Sequence, residues 1–346
     1  MSRLADDVPS PRTMRAVLSH KAGGPETLSV ADAPVATPGP GEIRVQMRAC
    51  GINYPDVLVI QDLYQFKPQR PFTPGGEVAG VVEAVGEGVA DFRPGDRVIA
   101  LLSWGGLAEK VVAPAAAVTA MAEGMSFDEG AAMLVTYGTS YYALKDRAAL
   151  RPGETLLVLG AGGGVGLAAV ELGKAMGARV VAAASSQEKV DAALAHGADK
   201  GVVYPRGPFD KEGSKQLAAL FKDACGAEGA DVIYDAVGGD YAQPALRAIA
   251  WEGRYLVIGF AAGIAEIPLN LPLLKGCQIV GVFWASSTQR DPGLFAANNR
   301  ALMELYGQGK VRPHVSKRYP LEQAGQALAD LAERRALGKV VVTVDG

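Results

Sequence analysis

Residues 157–190 read LVLGAGGGVGLAAVELGKAMGARVVAAASSQEKV: an apolar run, a burst of glycine, a small-residue helix and a second apolar run. A strand ends at Leu159, glycines fill 160–166, and a helix starts at once, from about Val165 to Met176. Gly160, Gly163 and Gly166 lie three apart. Glycine permits positive φ and lets a ligand approach the backbone closely. The free N–H groups and positive dipole end of the helix that follows then receive an anion. Strand, glycine turn and helix in that order are what a dinucleotide pyrophosphate site needs, with Gly164 and Val165 completing the turn. No Gly-Lys-Ser/Thr follows, which argues against a P-loop nucleotidase.

The second apolar run ends near Ala184. An NAD site places Asp or Glu about 20 residues beyond the glycines to hold the ribose 2′-hydroxyl. Here Ser185 and Ser186 stand in that place, with Lys189 one turn on. Hydroxyls and an ammonium favour a 2′-phosphate that a carboxylate would repel. The same serines can instead simply cap the next helix. The reading favours NADPH, although Glu188 is nearby.

Around this tract the chain alternates strand and helix: TLLVLG, ARVVAAA, GVVY, ADVIYDAVG, RYLVIGF and CQIVGVFW, with helices expected up to AHGAD and AWEG. Such alternation implies a doubly wound parallel sheet. From Arg15 to about Leu102 the pattern is strand and turn. In EIRVQMRACGIN, Ile43, Val45, Met47 and Ala49 alternate with polar residues, the period of a half-buried strand. TPGPGE and FRPGDRV are Pro-Gly turns. This segment reads as a compact antiparallel β-barrel. SFDE, Ser126 to Glu129, is a capping box that opens helical sequence. A last helix, about 321–336, leads to GKVVVTV, a strand expected to return to the β domain. The expected division is a disordered tail at 1–13, a β domain of 14–126 with 281–346, and an inserted cofactor domain at 127–280.

The 346 residues carry 34 Lys and Arg against 37 Asp and Glu, a net charge of −3, which gives no support to nucleic-acid binding. Cys50, Cys225 and Cys277 are far apart, so no disulfide framework or CxxC pair exists. The polar start MSRLADDVPSPRT has no apolar core of a secretory signal, and no apolar run is long enough to span a membrane. A cytoplasmic protein is expected.

ACGINYPDVLVIQDLY, PGGEVAGVVEAVG, FRPGDRV, TSYYAL, GETLLVLGAGGGVGLAAVELGK and YPLEQAGQALADLAERRALGKVVV together resemble the medium-chain dehydrogenase/reductase superfamily, in its quinone oxidoreductase (ζ-crystallin-like) branch. The resemblance runs over nearly the whole chain from Met14, departing at Glu171, where quinone reductases usually carry Gln. It implies a GroES-like catalytic β domain, a Rossmann-like NADPH domain, a cleft between them, and a homodimer joined through CQIVGVFW. It also implies that Lys189 and Tyr204 meet the 2′-phosphate, that Lys339 assists, and that Thr139 touches the nicotinamide end of the cofactor.

Zinc-dependent relatives carry Cys where this chain has Asn53, and a Gly-His-Glu motif where it has Gly75-Gly76-Glu77. Neither an amide nor glycine replaces a thiolate and an imidazole as strong zinc ligands. His20, His196 and His314 show no ligand spacing, and His196 reads as a surface cap at a helix end. Without a Lewis acid, a quinone or conjugated enone is the suitable small-molecule acceptor, because its acceptor carbon is already electrophilic. Asn53 is then either the first candidate donor to the oxygen that gains charge or a side-chain amide tying a loop; Tyr64 and Tyr54 are candidate donors or proton relays, with aromatic packing the alternative for Tyr54. Gly259 and Phe260 close a strand at its carboxyl end, where open α/β sheets bind ligands. Trp284 and Phe283 line either the cleft or the dimer contact, and Trp104 either lines the cleft or packs in the core or at its rim. Asp235 and Asp240, flanking AVGG, read as turn residues. The rival functions are a 2-enoyl thioester reductase and a non-catalytic NADPH sensor.

Overall fold

The structure is a computed structural model that describes residues 12–333 and 335–344. Residues 1–11 of the expected tail lie outside the described residues, and Thr13 already begins a strand, Thr13–Ser19. The chain divides into two compact units. One runs to Met121 and takes up Arg318–Arg335 and the C-terminal strand from Val340; the other comprises Ala122–Lys317 and Ala336–Lys339.

The first unit is built on an antiparallel sheet. Its strands run in the order Val315–Pro320, Lys339–Thr343, Glu42–Ile52, Glu77–Val85, Arg97–Leu101 and Val118–Ala120, with Lys110–Pro114 also paired to Glu42–Ile52. The expected alternation holds: Ile43, Val45, Met47 and Ala49 are buried while Gln46 is exposed. After Ala49 both faces close, since Cys50, Gly51 and Ile52 are buried too. The C-terminal strand returns as expected, pairing Val340 with Ile52 and Val342 with Cys50. This is a GroES-like unit.

The second unit is Rossmann-like. Six parallel strands run in the order Lys200–Val203, Arg179–Ala184, Thr155–Leu159, Ala230–Asp235, Ile249–Val257 and Gln278–Gly281. Leu156 to Leu159 are all fully buried, which is why this strand reads as unbroken hydrophobicity: helices cover both faces of a parallel sheet. The capping box forms, with Ser126 Oγ accepting from Glu129 N at 3.3 Å ahead of the helix Phe127–Gly130.

Three expectations are revised. AWEG lies inside the strand Ile249–Val257, not at the end of a helix, and a register shift opposite Ala230 and Val232 accommodates it. In CQIVGVFW only Gln278–Gly281 is strand, and a helix begins at Trp284. Residues 281–317 fold with the parallel-sheet unit: the helix Pro292–Gly307 packs on Leu134–Tyr141, burying Leu302, and Phe295 meets the Trp284 ring at 6.1 Å.

Candidate functional site

The glycine turn sits where the strand Thr155–Leu159 hands over to the helix Gly164–Ala175. Gly160 has φ +73°, a left-handed conformation that a side chain would strain. A Cβ on Gly166 would lie 2.2 Å from the Gly160 carbonyl oxygen, so this glycine lets the helix press onto the turn. Gly163 differs. It caps the helix with φ −84° and ψ 169°, and an added Cβ would touch only Gly160 O, at 3.5 Å. The protein itself leaves room there, and no side chain caps the first turn among the described residues. Its backbone N–H groups therefore stay available to an anion. The Val165 carbonyl accepts from Ser140 Oγ at 3.0 Å, which ties the helix Leu134–Tyr141 to this turn. Thr139, on that helix, is partly buried.

Two lysines flank the turn. The Lys189 side chain lies over Gly162, where an added Cβ would meet Lys189 Cβ at 2.6 Å. Lys339 comes from the far end of the chain. Gly338 N donates to Gly162 O at 3.0 Å and Lys339 N to His314 O at 2.8 Å, and the Lys339 stem passes 3.1 Å from where a Gly164 Cβ would be. Lys339 thus sits at the first turn of the helix, and Lys189 stands beside the serines. Ser185 follows the strand Arg179–Ala184, and Ser186 caps the helix Gln187–Ala195 by accepting from Lys189 N at 3.4 Å. Tyr204 N donates to Ala184 O at 2.9 Å, which brings it to the end of the same strand; its ring is buried against Phe221 and Tyr241.

At the next strand end, Asp235 Oδ1 accepts from Val237 N at 2.8 Å and Gly238 N at 2.9 Å, and Oδ2 accepts from the Tyr255 hydroxyl. Burial raises its pKa, although all three hydrogen bonds oppose the shift. Asp235 holds a turn, as its sequence position suggests. Gly259 N reaches Asp235 O at 3.3 Å, and Phe260 beside it is exposed. Trp284 is buried against Gly138, whereas Phe283 is exposed.

In the GroES-like unit, Asn53 caps the helix Tyr54–Ile60. Its Nδ2 donates to Glu77 Oε2 at 3.0 Å and to Gly51 O at 3.3 Å, which engages both amide hydrogens, and Glu77 is fully buried. Asn53 therefore ties this loop to the strand Glu77–Val85. Tyr54 is exposed; Tyr64 is half-buried, meets Phe66 edge-on, and has its phenol pKa raised by burial and by Asp56. Trp104 is exposed.

Sequence spacing missed one association. His196 and His314 meet edge to face at 5.3 Å, and His196 Nδ1 lies 2.6 Å from Glu171 Oε1. The only sequence signal was a carboxylate at Glu171, on the apolar side of the glycine helix.

Family models match both units: an alcohol dehydrogenase GroES-like domain over residues 39–123 and a zinc-binding dehydrogenase over 164–297. The chain belongs to the medium-chain dehydrogenase/reductase superfamily, in its quinone oxidoreductase branch. It is 38% identical over 307 residues to quinone oxidoreductase-like protein 2 of Bos taurus, covering 88% of this chain and 86% of that one. It is 34% identical over 335 residues to quinone oxidoreductase of Sus scrofa, covering 96% and 98%. The structure of Escherichia coli quinone oxidoreductase complexed with NADPH superposes with a TM-score of 0.86 at 27% identity, covering 95% of this chain and all of that one.

The zinc in the family description does not fit these residues. Asn53 is engaged with Glu77, Cys50 is a fully buried core residue, and a side chain on Gly76 would begin 3.0 Å from Leu102 O. Among the described residues no group of three or more His, Cys, Asp or Glu is placed to hold a metal ion.

Proposed function

We propose that the Rossmann-like unit binds NADPH at its glycine turn and that the enzyme reduces quinones or α,β-unsaturated carbonyl compounds without zinc. The carrying observation is the uncapped helix start at Gly163, open to a ligand and flanked by Lys189 and Lys339. The relatives named quinone oxidoreductase and the NADPH complex of one of them support the same reading. Backbone amides of the first turn and the Lys339 ammonium hold the pyrophosphate; Ser185, Ser186, Lys189 and Tyr204 hold the 2′-phosphate. Thr139, Gly259 and Phe260 border the nicotinamide half. Once bound, NADPH supplies the hydride that the reaction transfers.

In the GroES-like unit the phenols of Tyr64 and Tyr54 hydrogen-bond the acceptor oxygen as it gains charge. Burial and Asp56 raise the Tyr64 pKa above the ordinary phenol value, so the hydroxyl carries a proton to donate. Asn53 fixes the loop that carries Tyr54. Trp104 and Phe283 supply apolar surface, and Trp284 packs beneath the helix Leu134–Tyr141.

A homodimer belongs to this reading. The strand Gln278–Gly281 ends its sheet, and Ile264 is 82%, Leu269 80% and Leu273 76% exposed, an open edge and apolar side chains that a second copy would cover. Among the described residues no helix is long and apolar enough to cross a membrane.

NADPH oxidation measured with 1,4-benzoquinone, an enone and crotonyl-CoA, before and after chelation, tests the proposal. Turnover with the first two, indifferent to chelator, supports it. Turnover with crotonyl-CoA alone makes the enzyme a thioester reductase. Tight NADPH binding with no turnover makes it a sensor, and loss of activity on chelation sinks the metal-free mechanism.

A further inference from the structure

Glu171 lies seven residues beyond Gly164 on the same helix, two turns along and on the same face. Glu171 is 8% exposed, and its carboxylate meets Tyr137, Arg312 N and His196. Oε2 accepts from the Tyr137 hydroxyl at 2.6 Å and from Arg312 N at 2.8 Å, and Oε1 meets His196 Nδ1 at 2.6 Å. Burial and then Glu171 raise the Tyr137 pKa well above the usual range, so that phenol is a donor. The carboxylate thus holds the segment containing Arg312 directly, and reaches His314 through the edge-to-face His196 ring.

His314 in turn governs Lys339. Its carbonyl accepts Lys339 N at 2.8 Å. Gly338 has φ +65°, and a Cβ there would fall 2.5 Å from His314 O and 2.8 Å from its ring. The backbone at 338–339 is therefore packed against His314, and a displacement of one moves the other. Gly338 N closes the circuit on Gly162 O at 3.0 Å. Helix, histidine pair and terminal segment form a loop of contacts that leads to the buried Lys339 side chain, whose stem lies beside Gly164.

We propose that Glu171 is a positioning residue for the coenzyme, holding Lys339 at the first turn of the glycine helix through His196, Arg312 and His314. The proposal rests on the coenzyme reading above, with Lys339 directed at the pyrophosphate that NADH and NADPH share. A carboxylate only filling space would act on stability, not through Lys339.

The test is a double-mutant cycle on the full chain with Glu171→Gln and Lys339→Met. Binding of NADPH and of NADH is read from coenzyme fluorescence without an acceptor, and melting temperature reports the fold. Gln still accepts from Tyr137 and Arg312 N but no longer presents a carboxylate oxygen to His196 Nδ1. The expected result is about fivefold weaker binding of both coenzymes in Glu171→Gln and about twentyfold in Lys339→Met, with the double variant no weaker than Lys339→Met within about twofold. His196→Phe, which keeps the ring contact and loses the bond to Glu171, carries the same cycle if Glu171→Gln does not fold. Equal losses from the Glu171 change in both backgrounds, or none in the wild-type background, overturn the proposal. Failure of the wild-type chain to bind NADPH overturns the coenzyme reading, and this one with it.

Discussion

Replacing Gly163 by alanine separates the ligand-binding role of the glycine turn from its structural role. Its φ of −84° and ψ of 169° suit alanine, and the new methyl would touch only Gly160 O, at 3.5 Å. A glycine replaced at a compatible conformation stabilises a chain by about 0.4–1 kcal/mol, chiefly by restricting the unfolded state. The melting temperature should hold or rise. A coenzyme pressed against these amides would meet the methyl, and losing one hydrogen bond to a charged group costs about 1.5–3 kcal/mol, or roughly 10- to 150-fold in affinity. Gly166→Ala is the contrast. Its Cβ would lie 2.2 Å from Gly160 O and 2.8 Å from Ala161 Cα, so the turn must open and stability falls by about 1–3 kcal/mol along with binding. Fluorescence titration with NADPH and thermal melting of both variants make the comparison. Wild-type affinity in a well-folded Gly163→Ala protein would refute the argument that this turn receives the pyrophosphate.

Ser186→Asp keeps an N-cap, so only charge changes; NADPH should bind at least about tenfold more weakly while NADH changes little, and equal effects remove Ser186 from the 2′-phosphate site. Lys189→Met should likewise act on NADPH selectively, whereas Lys339→Met should weaken both coenzymes alike, in direct titrations. Asn53→Ala deprives the buried Glu77 of a partner and should lower stability by about 1–3 kcal/mol in urea unfolding; an unmoved midpoint refutes the tie. Glu129 is pushed up by burial, but hydrogen bonds from Ser126, Arg312 and Tyr306 outweigh this and bring it from 4.5 to about 2. Its contribution is therefore present above pH 4.5 and lost as pH falls towards 2; Glu129→Gln should flatten that part of the stability profile, by about 1–2 kcal/mol after allowing for solvent screening.

The glycine turn and both sheet types were legible because their signals are local. Period-two burial at Ile43 to Ala49, the unbroken apolar run Leu156 to Leu159 and the Ser126–Glu129 cap each lie within a dozen residues, where backbone geometry ties spacing directly to a face or a helix start. The position of the serines after the second strand was equally readable, since their distance from the glycines is set by one helix and one strand, and Ser186 caps the helix that follows.

What lay beyond reach was association between distant segments. His196 and His314 show no ligand spacing, yet packing of the terminal segment on the glycine helix brings them ring to ring and adds Glu171 beneath them. Asn53 read either as a donor to the acceptor oxygen or as a loop tie, and nothing local shows that a strand 24 residues on places Glu77 against its amide. Lys339 read as a basic residue assisting at the 2′-phosphate, and its place beside Gly164, at the first turn of the glycine helix, comes from the His314 carbonyl that holds its backbone. Local sequence thus determined which elements form and where an anion could be received. Tertiary packing decided which side chains stand there, because contacts between remote segments follow from burying the faces of the parallel sheet and its helices rather than from any repeat along the chain.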